Sequence, residues 1–473
     1  MNEVSTGINR RELLAAASAF GLLAQSASST SHAAPATTGS ATAPLAPTPP
    51  MGWNSWNSFA TTITEEQAIA NAEIMARELK PFGYDIFTID IQWYEGAATG
   101  YDYNTKPIPT MDEHARLLPA PNRFPSSAGG AGFKPIADKV HALGLKFGVH
   151  LMRGIPRLAV ERNLPILGGK WKARDIANTQ SICPWNPDMY GVDMSKSGAQ
   201  EYYDSVFALL ASWDIDFVKM DDMSRPYDAN APEIEAAHRA IRASGRPMIL
   251  SLSPGETPLT SGEHVSRFAQ MWRISDDFWD EWPQLKAQFT RLENWSMFPQ
   301  PGRWPDADML PLGRLQMGER ECRFTPDEQR TLMTLWSIAR SPLIMGGDLR
   351  HLDPATLALL TNRAVLAVNQ ASRDNKPTAL IEGIRTWTAR AEQGEIRYLA
   401  MFNVSDRKDP KPVHFDLSRL GLKSVKVRDL WAQRDIGTVA DRVSATLAPH
   451  ASLLYGLTPL LEETGRLHHR RPR

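Results

Sequence analysis

Short, almost continuously apolar runs punctuate most of this chain, and amphipathic stretches of helical length lie between them. FTIDIQW, KFGVHLMR, DFVKMDD, MILSLSPGE, MWRISDD and PLIMGGD are such runs, and each ends in a chemically loaded group. Strands that are apolar on both faces belong to parallel sheets covered by helices. The helical stretches carry matching boundary signals. TEEQAIANAEIMARELKPFG opens on a threonine cap with an early glutamate pair and closes on glycine. PEIEAAHRAIRASG has proline near its start and glycine after its end. The strand candidates run MGWNSW, FTIDIQW, KFGVHLM, FVKMDD, MILSLSP, MWRISDD, RWPDADML and PLIMGGD, each followed by a helical segment. Long loops follow FTIDIQW and KFGVHLM. This alternation predicts an α/β fold, a (β/α)8 TIM barrel, over residues 49–376.

From residue 377 the pattern changes. IRTWTARA, IRYLAMFNV, KPVHFDL, VKVRDLW and SLLYGL are short, spaced strand candidates with few helical segments between them. They predict an antiparallel β-sandwich over 377–460. The tail over 461–473 is basic and without apolar period, and is expected to be disordered. At the other end, Arg10 and Arg11 precede LLAAASAFGLLA and then Ser31-His32-Ala33, an A-x-A-like cleavage site. Residues 1–34 are read as a Tat-type signal peptide, and Ala, Pro, Ser and Thr over 35–48 as a linker. The expected destination is therefore export, periplasmic or extracellular.

Composition narrows the partners. A formal net charge of −1 over 473 residues gives neither nucleic acid nor an anionic membrane a reason to bind. No mature segment has the uncharged apolar length of a membrane span. The two cysteines, Cys183 and Cys322, are read as unpaired thiols. No zinc-type Cys/His spacing, EF-hand loop or P-loop is present, so no metal and no cofactor are expected.

The candidate chemistry sits at the strand ends. Active sites of parallel barrels are built from residues at the C-terminal ends of the strands. Asp221 and Asp222 close FVKMDD, and Asp276 and Asp277 close WRISDD. Acids brought together at a barrel mouth point to glycoside hydrolysis by paired carboxylates. Lys219 lies two residues before Asp221, on the same side of the strand, where its charge would keep that carboxylate ionised. His150 ends a strand beside Arg153 and is read as a substrate contact, with a satisfied structural role as the alternative. Trp56 and Trp93 are candidate platforms for the apolar face of a sugar, whereas Trp53, Trp272 and Trp304 are read as core or wall. Glu256 in SPGE is read as a helix start.

In this order, TPPMGWNSWNSF, FVKMDD, WRISDDFWDEW, WPDADML and SPLIMGGDL resemble glycoside hydrolase family 27, the α-galactosidase or melibiase family. VRDLW and LAPHASLLYGL resemble its C-terminal β-domain. The resemblance covers about Pro49 to Leu457, in a divergent bacterial branch suggested by FTIDIQWYE and GVHLMRGIP. It implies that Asp221, in Lys219-Met220-Asp221, is the nucleophile. It also implies that Asp277, four residues after Arg273, is the acid/base, with Lys219, Ser253 and Arg273 as substrate contacts. Asp222 and Asp276 are read as caps of the loops that follow, with Asp222 or Asp276 as the alternative if the register is off by one. Trp56 then matches the sugar platform, Asp90 the first of two aspartates that hold O4 and O6, and Asp308 and Met309 a further site segment. A retaining mechanism through a glycosyl–Asp221 intermediate would follow, with the two carboxyls roughly 5–6 Å apart. The acid/base, which must be protonated at rest, is expected to be the less paired and more desolvated of the two.

The pattern departs from the family at three places. Ile91 replaces the second sugar-holding aspartate, leaving Gln92 or Glu95 as substitutes. Leu252-Ser253-Pro254 stands where the family has Cys-Glu-Trp near the C2 substituent. Met223 replaces a cysteine, so that family disulfide is absent. α-D-galactopyranose and β-L-arabinopyranose share ring stereochemistry and differ only by the CH2OH at C5. The expectation is a retaining, exo-acting hydrolase of α-galactosidase type acting on oligo- or polysaccharide. β-L-arabinopyranosidase and α-1,6-glucan hydrolase are the alternatives within the family, and a non-catalytic carbohydrate-binding barrel or a metal-dependent hydrolase are those outside it.

Overall fold

A computed structural model describes residues 44–104 and 106–460. The expected signal peptide, the linker up to residue 43 and the basic tail lie outside the described residues. The parallel strands expected from the apolar runs form. They are β1 (Met51–Asn54), β2 (Ile86–Ile89), β3 (Lys146–Met152), β4 (Phe217–Asp221), β5 (Ile249–Leu252), β6 (Met271–Arg273), β7 (Trp304–Asp306) and β8 (Leu343–Met345). They make one 8-stranded sheet in the order β7-β6-β5-β4-β3-β2-β1-β8. Leu310, just past β7, closes the curl. Its N–H donates to the Ile344 carbonyl (2.7 Å), and its own carbonyl accepts from the Gly346 N–H (3.0 Å).

Strand period places alternate side chains inside the barrel. Ile86, Phe217, Ile249, Met271 and Ile344 pack together as an apolar floor. The next inward positions on β4, β5 and β6 are Lys219, Ser251 and Arg273, so polarity rises toward the C-terminal ends. Gly148 on β3 has a steric reason. A Cβ there would stand 2.7 Å from Thr88 Oγ1 and 2.9 Å from the Phe217 ring. The bare backbone lets three strands approach directly beneath His150.

The helices start where their caps predict. Thr64 and Gln67 form a capping box before helix Glu65–Ile74, and Thr325 and Glu328 form another before helix Pro326–Ala339. Two helical details differ from the sequence reading. Helix Tyr227–Ala243 begins ahead of PEIEAAHRAIRASG, so Pro232 lies inside it. The hydrogen bond it removes would have reached only into the first turn. DPATLALLTNRAVLAV is two helices, Pro354–Leu360 and Arg363–Gln370, because Asn362 caps a fresh start with its side chain. The loop after β3 is also more than a loop. It contains a 3-stranded antiparallel sheet of Ile155–Pro156, Met189–Val192 and Ala177–Ile182.

The C-terminal antiparallel domain pairs a 6-stranded sheet with a 2-stranded one. Its first strand, Ser372–Ile381, starts ahead of the expected boundary. That segment is polar and contains Pro377, which an edge strand with register shifts can hold. Leu399, Met401, Val413, Phe415, Val425 and Leu453 are in its apolar core. The domain docks on helix Pro326–Ala339, where Thr331 Oγ1 donates to the His450 carbonyl (2.6 Å) and Trp431 Nε1 to Thr334 Oγ1 (2.9 Å). Among the described residues no helix is long and apolar enough to cross a membrane.

Candidate active site

The C-terminal ends of the strands open into a cavity of about 520 Å3, lined among others by Trp56, Asp90, Ile91, Lys219, Asp221 and Asp277. Asp221 is the last residue of β4 and its side chain is only 8% exposed. His150 Nε2, fully buried on β3, donates to Asp221 Oδ2 (2.8 Å), and the Asp222 N–H donates to Oδ1 (3.0 Å). These two donors fix the carboxylate plane. Asp222 turns away from it. Its φ is +61°, and its carboxylate accepts from Arg153 (2.7 Å), which also holds Glu233 (2.7 Å). Burial raises the pKa of Asp222, against the lowering effect of Arg153.

Lys219 lies between acids, but its hydrogen bond goes to Asp90 Oδ2 (2.8 Å), which also accepts from Asn54 Nδ2 (2.7 Å). Burial works to raise the Asp90 carboxyl. The Lys219 ammonium, with His150 and Asn54, outweighs it and holds the carboxyl at about 2. Asp90 is therefore an anion, held as a fixed acceptor at the cavity wall. Burial works to lower the pKa of Lys219, and the Asp90 and then the Asp221 carboxylates outweigh it. The hydrogen-bond partner of the Asp221 carboxylate is His150.

Across the cavity, Arg273 Nη2 lies 3.4 Å from Asp277 Oδ1 and 2.8 Å from Asp308 Oδ2. Asp308 also accepts from the Phe278 N–H (2.7 Å), so it anchors both Arg273 and the loop that carries Asp277. The Asp277 side chain is 51% exposed. Asp277 is thus the more exposed of the two acids, contrary to the expected desolvation, because it stands on the open wall of the cavity. Asp276 is exposed at the cavity rim, where it pairs with Arg225.

Not every candidate reaches the cavity. Ser253, Arg273, Asp308 and Met309 line a small void deeper in the barrel instead. Ser253 Oγ accepts from Arg273 (3.5 Å) and is buried. His150 positions Asp221 from behind. Trp93 is a core residue and no platform: it is 0% exposed, donates Nε1–H to the His150 carbonyl (2.8 Å) and packs on Phe133 and Trp213. Neither substitute for the missing aspartate is free. Gln92 donates to Asp188 (2.7 Å), and Glu95 accepts from Ala97 and Ile108. Trp53, Trp272 and Trp304 are buried, as expected. Glu256 lies in the loop ahead of helix Gly262–Phe268 and ion-pairs with Arg291.

Two wall residues escaped the sequence reading. Tyr103, from the loop after β2, lies nearly parallel to Trp56 (6.2 Å between ring centres, 13°). Trp185, from the loop after β3, meets Tyr103 at 5.5 Å. Burial raises the Tyr103 phenol, with nearby Asp221, Asp90 and Asp277 adding to the effect. It therefore stays a neutral donor facing the acids. Cys183 and Cys322 are free thiols. Among the described residues, no group of three or more His, Cys, Asp or Glu side chains could hold a metal ion.

Asp306, at the end of β7, gives a stability prediction. Burial lifts its carboxyl to about 7 despite Arg273. A folded pKa above the unfolded one means that the unfolded state binds fewer protons between about pH 4 and 7. Stability then falls as pH rises through that window, by on the order of 4 kcal/mol in total. Asp306→Asn keeps an acceptor for the Asp308 N–H (2.9 Å) and removes the titration. Relative to wild type, the variant should gain denaturant stability from pH 4 to 7; an equal offset at both ends would refute the buried-acid account.

A parallel barrel whose mouth brings carboxylates and aromatic rings around a sugar-sized cavity is the architecture of a glycoside hydrolase. Family comparison agrees. Residues 190–371 match the alpha galactosidase A model, and residues 382–457 match the alpha galactosidase C-terminal beta sandwich domain. A family 27 β-L-arabinopyranosidase structure from Geobacillus stearothermophilus is 48% identical, with a TM-score of 0.86, covering 88% of this chain and 98% of that one. The α-galactosidase of Coffea arabica is 29% identical over 410 residues, 85% of this chain and 91% of its own. That of Oryza sativa subsp. japonica is 27% identical over 389 residues, covering 80% and 77%. The chain belongs to glycoside hydrolase family 27.

Proposed function

We propose that this chain is an exo-acting, retaining β-L-arabinopyranosidase, with Asp221 as nucleophile and Asp277 as acid/base. The two acids suit those roles differently. Asp221 is oriented by two donors, the His150 ring and the Asp222 N–H, and is reached by neither arginine of the site. Asp277 faces the cavity with a single long contact to Arg273, free to exchange a proton with a leaving oxygen. Trp56 offers a ring face to the sugar, and Asp90 with Lys219 offers a charged pair to its hydroxyls.

The observation that carries the choice of sugar is Ile91 on the cavity wall next to Asp90. In galactose the C5 substituent ends in a hydroxyl. Desolvating a hydroxyl against an isoleucine without a partner costs about 1–3 kcal/mol, and Gln92 and Glu95 are engaged elsewhere. The pentose has no such group to bury. The 48% identical arabinopyranosidase supports the same reading. An α-galactosidase is the second reading, favoured by the intact Asp90–Lys219 pair and the α-galactosidase relatives.

The test is kcat/KM for aryl β-L-arabinopyranoside, α-D-galactoside, α-D-glucoside and α-N-acetylgalactosaminide. Arabinopyranoside is expected to lead. Ile91→Asp should raise the galactoside-to-arabinopyranoside ratio about tenfold, the value of one recovered hydrogen bond. Wild type preferring galactoside by several orders of magnitude would hand the site to the second reading, and an unmoved ratio in the variant would show that Ile91 does not set the choice of sugar.

A further inference from the structure

The catalytic cavity continues into a second one. Arg225 and Asp276 line both the catalytic cavity and a neighbouring cavity of about 380 Å3, which is walled further by Glu256, Arg291, Asn294 and Trp295. Arg225 and Asp276 are paired with each other, so the loops after β4 and β6 join in a bridge between the two spaces. The bridge rests on the loop after β5. Gly255 there has φ +94°, and a Cβ on it would stand 3.0 Å from Arg225 Nε. The arginine thus lies flat on bare backbone. Asp276 is the immediate neighbour of Asp277. The second cavity therefore joins the catalytic one beside Asp277.

The opposite side of the mouth is walled by Trp56, Tyr103 and Trp185 in a row of ring contacts. The second cavity differs in kind. Its lining includes a carboxylate–guanidinium pair, Glu256 and Arg291 at 3.4 Å, and the exposed Asn294 amide, with the Trp295 ring beside them. Planar guanidinium, carboxylate and amide groups hydrogen-bond vicinal hydroxyls, and both pairs here are exposed enough to exchange partners.

We propose that this second cavity is the leaving-group subsite. It takes a neutral pyranose, with the Arg225–Asp276 bridge under the glycosidic linkage and Arg291 and Asn294 holding its hydroxyls. The proposal rests on the glycosidase reading above and specifies what that enzyme acts on: a sugar chain, with a pyranose beyond the bond that breaks. In the first step C1 bonds to Asp221, the C1–O bond breaks, and the proton of Asp277 goes to the departing oxygen of that pyranose. The reverse use follows. A pyranose in the second cavity gives its hydroxyl oxygen to C1 and its proton to Asp277, while the C1–Asp221 bond breaks.

Arg291→Ala and Asn294→Ala, singly and together, test this with two substrates that share the terminal sugar: the p-nitrophenyl glycoside and the (1→6)-linked disaccharide with glucose. Thermal midpoints check folding. The ratio of kcat/KM for disaccharide over aryl glycoside is expected to fall about tenfold in Arg291→Ala, as for one lost charge-assisted hydrogen bond. The transfer of sugar from the aryl glycoside to added glucose, relative to hydrolysis, should fall in parallel. An unmoved ratio together with unmoved transfer overturns the subsite. If wild type hydrolyses neither substrate, the glycosidase reading fails rather than the placement of this cavity.

Discussion

Asp221→Asn is expected to lower kcat/KM at least about 10⁴-fold, which is roughly 5 kcal/mol of transition-state stabilisation. The substitution preserves size and leaves an oxygen for the Asp222 N–H, so folding should survive; what it removes is the nucleophilic oxygen. The neighbouring acid cannot step in. The carboxylate of Asp222 lines the same cavity but is tied to Arg153 at 2.7 Å. Asp221→Ala makes the chemistry legible, because it opens space where the carboxylate stood. Added azide should then enter from that face and give a glycosyl azide of inverted configuration. A near-native rate in Asp221→Asn, or a rescued product with retained configuration, would move the nucleophile to another acid.

The positions of these acids were legible in the sequence for a simple reason. A barrel strand is short, apolar and ended by its functional group, so a carboxylate that closes such a run has only one place to go. The pairs Asp221–Asp222 and Asp276–Asp277 were found that way, the family resemblance chose Asp221 and Asp277 within them and added Asp90, and the cap at Thr64 set an intervening helix. Contacts made across the barrel were not legible. Two-residue spacing put Lys219 on the same face as Asp221, but spacing along one strand says nothing about Asp90 on another, where its hydrogen bond lies. Trp93 follows Asp90 closely enough to look like a cavity residue. The chain turns inward there, and the ring ends in the apolar layer between sheet and helix. Tyr103 and Trp185 were missed because each sits in a long loop with no apolar period to anchor it. Only the closed fold brings them to Trp56. The start of strand Ser372–Ile381 was missed because its polar residues and Pro377 carry no apolar alternation, although an edge strand tolerates them.

Asp277→Ala should separate substrates by leaving group. Protonation matters most when the departing oxygen is a poor leaving group, so the sugar-linked substrate is expected to lose about 10²–10⁴-fold. An activated aryl glycoside, whose phenolate departs unaided, should lose far less in the step that forms the glycosyl intermediate. That intermediate then accumulates, because the base that activates water is the same missing group. KM for the aryl substrate should fall along with kcat, and a burst of phenol should precede the slow steady state. Azide, which needs no base, should restore turnover and give a glycosyl azide of retained configuration, the opposite of the result at Asp221. Arg273 supplies a control on geometry. It lies 3.4 Å from Asp277 and 2.8 Å from Asp308, so Asp277→Asn, which keeps the contact but cannot transfer the proton, should show the same leaving-group dependence. Equal losses on both substrates, with no burst, would mean that Asp277 only binds and that the proton comes from elsewhere on the cavity wall.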